Sequence, residues 1–317
     1  MVGKVTPDDM LSASRLPAVL GLSKYRTAND ELMASIASIK GEPREDIGNE
    51  AMSWGNLMEP LILEQAADRL GLEHPDMDHP RPYFHSTLPL ACSLDGTAMG
   101  AGQVVRSDPD KGIYVVGQDE IKLEGLGVLE AKLTSLSPED VPALYRGPLQ
   151  LQAQMAIMGA SWGAVCVLYQ GTELRVFLFA PHQGTLELIE KTVLEFQTKL
   201  DKYQETGEID YYPPANSKDA DKMFPVAVDE VVLLDDTAAE LARDILAAQA
   251  LAKQAEADRQ KAEAALKAIM GSTAKAMAGE YQISWPMRSY KAQPAKTVPA
   301  KDAYTVRQST LSVRARA

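Results

Sequence analysis

The sequence predicts an α/β fold in which a mixed central β-sheet is flanked by helices, followed by a C-terminal helical arm and a short β segment. Three observations predict it. Short apolar runs of strand character are collected mid-chain. Helical periods lie before, between and after them. Residues 237–270 are rich in Ala, Lys, Glu and Gln and contain neither Gly nor Pro, which favours one long helix.

Taken in order, residues 8–21 read as a helix, with Ser12 or Ser14 as caps, and 21–25 as a turn leading to a short helix ending near Ile39. Residues 49–70 read as a long amphipathic helix closed by Gly71, and 75–82 as a loop. Strands are expected at 83–85 and 90–95, meeting across Pro89, and again at 113–117 and 128–133. The stretch between Asp95 and Gly112 reads as an exposed loop or hairpin inserted between two strands. A helix over 137–159 precedes a strand pair at 164–169 and 174–179, turning at Gln170-Gly171-Thr172, and a helix over 185–207 follows. Such an order suits a mixed sheet with helices on its faces. In the long helix, Leu241, Ile245, Ala248, Ala252, Ala255, Arg259, Ala262, Leu266 and Ile269 keep 4-3 spacing. That seam suits packing along another helix, as a docked arm of the same protomer or as an oligomer contact. Residues 279–285 read as a strand before a Pro- and Lys-containing tail. The expected divisions are 1–225, 226–280 and 281–317.

Composition narrows the function classes. With 317 residues and 45% hydrophobic content the chain can bury a sizeable core. No apolar run of membrane-spanning length and no leader-like N-terminus occurs, so the expectation is a cytoplasmic protein with no membrane partner. Two cysteines, Cys92 and Cys166, lie in separate apolar stretches and read as buried thiols rather than a disulfide or zinc site. The net charge of −12 is unusual for a nucleic-acid protein. It is unevenly spread: from Tyr281 onward seven Lys or Arg face one acid, a net +6 that leaves −18 for the rest. The tail is either a solvated basic end or a nucleic-acid contact.

The chemistry is concentrated in Gly127-Val128-Leu129-Glu130-Ala131-Lys132. In a strand, residues i and i+2 share a face, so Glu130 and Lys132 stand side by side while Ala131 points away. Asp95, in Ser93-Leu94-Asp95-Gly96, closes another apolar run. Two acids beside a lysine suit a hard divalent cation with an ammonium left to serve a nucleophile or a developing charge. The preceding helix supplies Glu59, the following one Gln150, with Gln154 one turn along the same face. Each motif alone also occurs as an ordinary turn or surface ion pair. Trp54, Trp162, Met155 and Met158 read as core packing.

Trp-Gly-x-x-x-Glu at 54–59, Ser-x-Asp-Gly at 93–96, Leu-Glu-x-Lys at 129–132 and Gln-x-Gln-x-x-Met from Gln150, in that order, resemble the lambda exonuclease or YqaJ-type viral recombinase family of the PD-(D/E)XK nuclease superfamily, over roughly residues 8–200. The resemblance implies a restriction-endonuclease-like core and Mg²⁺-dependent hydrolysis of double-stranded DNA from its ends, 5' to 3' and processive, with an alkaline optimum and Mn²⁺ as a substitute ion. It implies Asp95, Glu130 and the main-chain carbonyl of Ala131 as metal ligands, Glu59 at the outer metal site, Lys132 beside the attacking water, and Gln150 orienting water or Lys132. Ser14 and Ser93 match positions that hold a terminal 5'-phosphate. A ring-shaped homotrimer and a single-strand annealing partner in a bacterial or phage-infected cell are further implications. Two positions depart from the pattern. His85 stands ten residues before Asp95, where an acid is expected, and becomes a candidate metal ligand. The basic residue expected before Ser14 is absent, and Arg15 is its substitute. Arg146 and Tyr145, just before the Gln helix, are candidate DNA-phosphate contacts. The alternatives are an endonuclease or single-strand nuclease of the same superfamily, and a non-catalytic DNA-binding assembly protein with structural acids.

Overall fold

The computed structural model describes residues 6–42 and 48–289. The chain divides into two compact units, Met1–Met223 and Phe224–Ala317.

The first unit opens with a two-residue strand β1 (Leu11–Ser12), a 3-10 turn (Ala13–Arg15) and one helical turn α1 (Leu16–Val19). The expected helix over 8–21 is therefore mostly absent: Leu11 and Ser12 pair in parallel with a strand from the middle of the chain, and Pro17 fits only the start of a helix. Helix α2 (Ala28–Ile39) begins with a capping box between Thr27 and Asp30. Helix α3 (Glu50–Leu70) is capped by Asn49 and closed by Gly71 in the left-handed conformation. Strands β2 (Tyr83–Phe84) and β3 (Leu90–Cys92) join β1 in a small sheet of order β1-β3-β2.

The main sheet contains β4 (Gly96–Arg106), β5 (Ile113–Val115), β6 (Glu120–Thr134), β7 (Trp162–Tyr169) and β8 (Glu173–Phe179), in the order β4-β6-β7-β8-β5. The stretch after Asp95 is thus a hairpin arm, β4 running antiparallel to the first half of β6 from Gly96↔Leu129 to Arg106↔Glu120. Strands β6 and β7 are parallel, which requires a crossover, and helix α4 (Pro148–Met158) supplies it. The expected helix over 137–159 survives only as this second half. Gly147 breaks it, with φ +121 and a virtual Cβ that would meet Val165 Cγ1 at 2.7 Å. Helix α5 (Gln183–Thr206) and the short α6 (Ser217–Met223) complete the unit.

Each face of the sheet has its own core. Val128, Val165, Val167 and Phe177 pack with Leu149, Leu151 and Met155 of α4, Phe196 of α5 and Leu32 and Ile36 of α2. On the other face Leu129, Ala164, Cys166 and Val176 pack with Ile62, Leu63, Ala66 and Leu70 of α3. Truncating one of these leucines to Ala would cost about 2–5 kcal/mol. The result is a mixed α/β fold with a five-stranded sheet flanked by helices. Trp162 is fully buried and lies flat against Gly127, where a Cβ would sit 2.1 Å from its ring. Trp54 is the opposite case: the core reading fails because it sits on the outer side of the first turns of α3 and is 54% exposed. Both cysteines are buried free thiols. No described helix is long and apolar enough to cross a membrane.

The second unit contains helix α7 (Asp236–Met270), capped by Asp235, and a hairpin of β9 (Lys275–Ala278) and β10 (Tyr281–Ser284) turning at Gly279-Glu280. Arg259, which interrupts the apolar seam, is bridged to Glu256 and Glu263 of its own helix at 2.8 and 2.9 Å. Lys267 Nζ lies 5.2 Å from the ring centroid of Trp285, tying hairpin end to helix end. Most of the basic tail lies outside the described residues.

Candidate functional site

Strand β6 carries the site on the face that it turns to α4. Along that face exposure rises from Val128 at 0% through Glu130 at 1% to the Lys132 side chain at 31%, so the strand runs from core to mouth within four residues. The β4–β6 ladder starts at Gly96↔Leu129. One step beyond it the amide of Ala131 donates to Oδ2 of Asp95 at 2.8 Å, which fixes the Asp95 carboxylate beside β6. Lys132 Nζ donates to Glu130 Oε1 at 2.5 Å and to Oε1 of Gln150 on α4 at 3.3 Å. Glu59 reaches the same neighbourhood from the first half of α3, close enough for its charge to act on Asp95 and Lys132 and to feel Glu130. The five side chains singled out in the sequence, Glu59, Asp95, Glu130, Lys132 and Gln150, are thus brought together.

The electrostatics are unbalanced. Burial, then the charge of Glu130, push the Asp95 carboxyl well above the usual carboxylate range, with Lys132 and the Ala131 amide opposing. Burial and Glu130 likewise raise Glu59. Lys132 is held above its ordinary value: burial works to lower it, but the carboxylates of Glu130, Asp95 and Glu59 outweigh burial. The same field reaches nearby thiols, and Cys92 is pushed up to about 12 by burial and Glu130. Three carboxyl groups share one ammonium. That donor set fits a hard divalent cation, which takes oxygen ligands and would supply the missing positive charge. Among the described residues no three His, Cys, Asp or Glu side chains gather tightly enough to hold a metal ion by themselves, so a main-chain carbonyl or water must complete any such ligand set.

One residue missed as a site member is Gln154. It is fully buried, and its Nε2 donates to Glu130 Oε2 at 2.7 Å and to the carbonyl of Ser93 at 3.0 Å. The available signal was its i+4 spacing from Gln150 on one face of the helix.

Other expected positions fall outside the cluster. His85 is engaged elsewhere: its Nδ1 accepts from the amides of Thr87 and Leu88 at 3.2 and 3.1 Å, and it lines a cavity with Gln183, Glu187 and Ile189. Arg15 is not free to bind phosphate. It is 5% exposed, its Nε donates to Glu31 Oε2 at 2.5 Å, and its two Nη groups donate to the carbonyls of Asp8, Met10 and Glu31 and to Ser35 Oγ. All five N–H donors are used. Arg146 is also engaged, donating to Glu139 Oε2 at 2.5 Å and to the Tyr145 hydroxyl at 2.8 Å. Ser14 is exposed, 3.3 Å from the buried Ser12 hydroxyl, and Ser93 is half-buried with its carbonyl held by Gln154.

Residues 7–161, which include every member of the cluster, match the family described as YqaJ-like viral recombinase domain. No curated protein matches the chain. Among solved structures, LHK-Exo, an alkaline exonuclease from Laribacter hongkongensis, is 17% identical with a TM-score of 0.45, over 63% of this chain and 91% of that one. The same protein in complex with dAMP gives 18% and 0.45 over 62% and 90%. The structure of SSO0001 is 14% identical with a TM-score of 0.34, over 68% and 82%.

Proposed function

From a chain that carries a YqaJ-like viral recombinase domain over residues 7–161, we propose a Mg²⁺-dependent deoxyribonuclease that degrades linear duplex DNA from its ends. The observation that carries this reading is that Glu130 binds the ammonium of Lys132 directly while Asp95 and Glu59 lie within electrostatic reach of it. A structural ion pair needs one acid per cation, and this cluster holds two more. The finer reading is an alkaline, processive 5' to 3' exonuclease that works as a ring-shaped homotrimer beside a single-strand annealing protein in phage or prophage recombination.

Asp95, Glu130 and the carbonyl of Ala131 would hold the cation, with Glu59 at its outer side and Mn²⁺ able to replace Mg²⁺. The chemistry that Mg²⁺ supplies when bound is Lewis-acid polarisation of the phosphate and activation of water. Lys132 stays protonated among its carboxylates, so it serves as a fixed cation and proton donor that offsets the charge building on phosphorus. Gln150 Oε1 gives its ammonium a second anchor besides Glu130, which keeps it aimed along the mouth of the site.

Digestion of linear and circular duplex, with and without a 5'-phosphate and over a range of Mg²⁺, tests the reading. Linear DNA is degraded, faster with a 5'-phosphate, circular duplex is spared, and chelation stops the reaction. Equal attack on the circle would make the enzyme an endonuclease, and no metal-dependent degradation of either would end the nuclease reading.

A further inference from the structure

Gln154 is buried completely on the inner face of α4, where an amide is costly unless its groups are bonded. Its neighbour Gln152 shows an ordinary structural solution: its Nε2 donates to the carbonyl of Ala180 and its Oε1 accepts from the amide of His182, both at 2.8 Å, pinning the turn before α5. Gln154 is used differently. Its one nitrogen serves both the carbonyl of Ser93, two residues before Asp95, and Glu130 Oε2, while its own Oε1 has no hydrogen-bond partner. Glu130 therefore has both oxygens claimed, Oε1 by Lys132 and Oε2 by Gln154. A carboxylate held at both oxygens keeps one orientation, and the same amide ties its strand to the turn that carries the second acid.

We infer that Gln154 is a positioning residue that registers Asp95 against Glu130 and thereby sets the affinity of the site for a divalent cation. The inference deepens the nuclease reading and rests on it. Gln154 acts through Glu130 and the Ser93 carbonyl, so its removal weakens cation binding more than it slows the reaction at saturating cation. Groups that orient metal ligands in this way are worth about 10- to 100-fold in metal affinity.

The test is thermal melting of the full chain against Mg²⁺ and Mn²⁺ for wild type, Gln154→Leu, Gln154→Met and Gln152→Leu, with duplex digestion at saturating metal alongside. The expected result is a metal midpoint raised about tenfold or more in the Gln154 variants, a larger effect than any change in the rate at saturating metal. Gln152→Leu lowers the metal-free melting temperature and leaves the midpoint in place. An unchanged midpoint in a folded Gln154 variant overturns the assignment, and so does failure of both Gln154 variants to fold, which marks the amide as structural. A wild type that neither shifts with metal nor degrades DNA defeats the nuclease reading itself, an outcome distinct from a wild type that does both beside a Gln154 variant that matches it.

Discussion

The ionic clusters around Arg15 and around Lys132 in the first unit differ in one respect. Around Arg15 every donor of its own guanidinium has an acceptor, and Glu31 is also ion-paired with Arg26 Nε at 2.6 Å, although that N–H makes no hydrogen bond. Around Lys132 the charges do not balance, because Glu59, Asp95 and Glu130 share one ammonium and two of these acids are held above their usual range. A guanidinium whose donors are all used, as in Arg15, has nothing left to offer a ligand. An unsaturated cluster is costly to keep, and a cation from outside would relieve that cost.

The largest effect that would sharpen this contrast is on rate. Lys132→Met is expected to reduce duplex degradation by on the order of 10²- to 10³-fold, as loss of one charge-stabilising donor does elsewhere, and also to lower the metal-free melting temperature because the buried Glu130 loses its partner; a variant that cuts at the wild-type rate would leave the cluster without a catalytic role. Arg15→Ala should act on stability alone, lowering it by about 3–5 kcal/mol because Glu31 loses its buried partner. Urea titration measures that loss, and the activity of the remaining folded protein should be normal.

A smaller and less usual effect concerns Asp95→Asn. The folded-state pKa of Asp95 lies above its unfolded value, so the folded protein holds a proton that the unfolded chain releases. Stability from this group is therefore gained as pH falls, and the penalty is fully present above the folded pKa. In metal-free buffer Asp95→Asn should melt higher than wild type at neutral and alkaline pH, the gap narrowing as pH falls toward the ordinary carboxylate range. A gap independent of pH would show that the Asp95 charge is not what strains the apo site. Trp54→Ala is the smallest: exposed on α3, it should change stability by no more than about 0.5 kcal/mol, and a larger loss in denaturant titration would mean that the ring is covered.

What could be read from the sequence follows the range of the forces involved. Glu130 and Lys132 share a face because a strand has a period of two, and Gln150 and Gln154 because a helix has a period near four, so local geometry alone placed them. Asp95 was legible as an acid that closes an apolar run. Arg15 was misread because what buries it is Glu31, sixteen residues away, and no local pattern announces that pairing. The helix over 137–159 was overextended because the apolar periodicity hid the positive φ demanded at Gly147. Residues 96–106 have little strand propensity at Gly96, Gly100 and Gly102 and form β4 through pairing with β6. Trp54 is a large apolar side chain on the outer side of its helix, where only tertiary placement decides.

The central claim is that the Asp95–Glu130–Glu59 cluster is short of positive charge and that a divalent cation supplies it. Its most direct measurement is the melting temperature of wild type, Asp95→Asn and Arg15→Ala with and without Mg²⁺ at one alkaline pH. The account predicts that Mg²⁺ raises the melting temperature of wild type and of Arg15→Ala by similar amounts and barely moves Asp95→Asn. Equal Mg²⁺-induced rises in wild type and Asp95→Asn would contradict it.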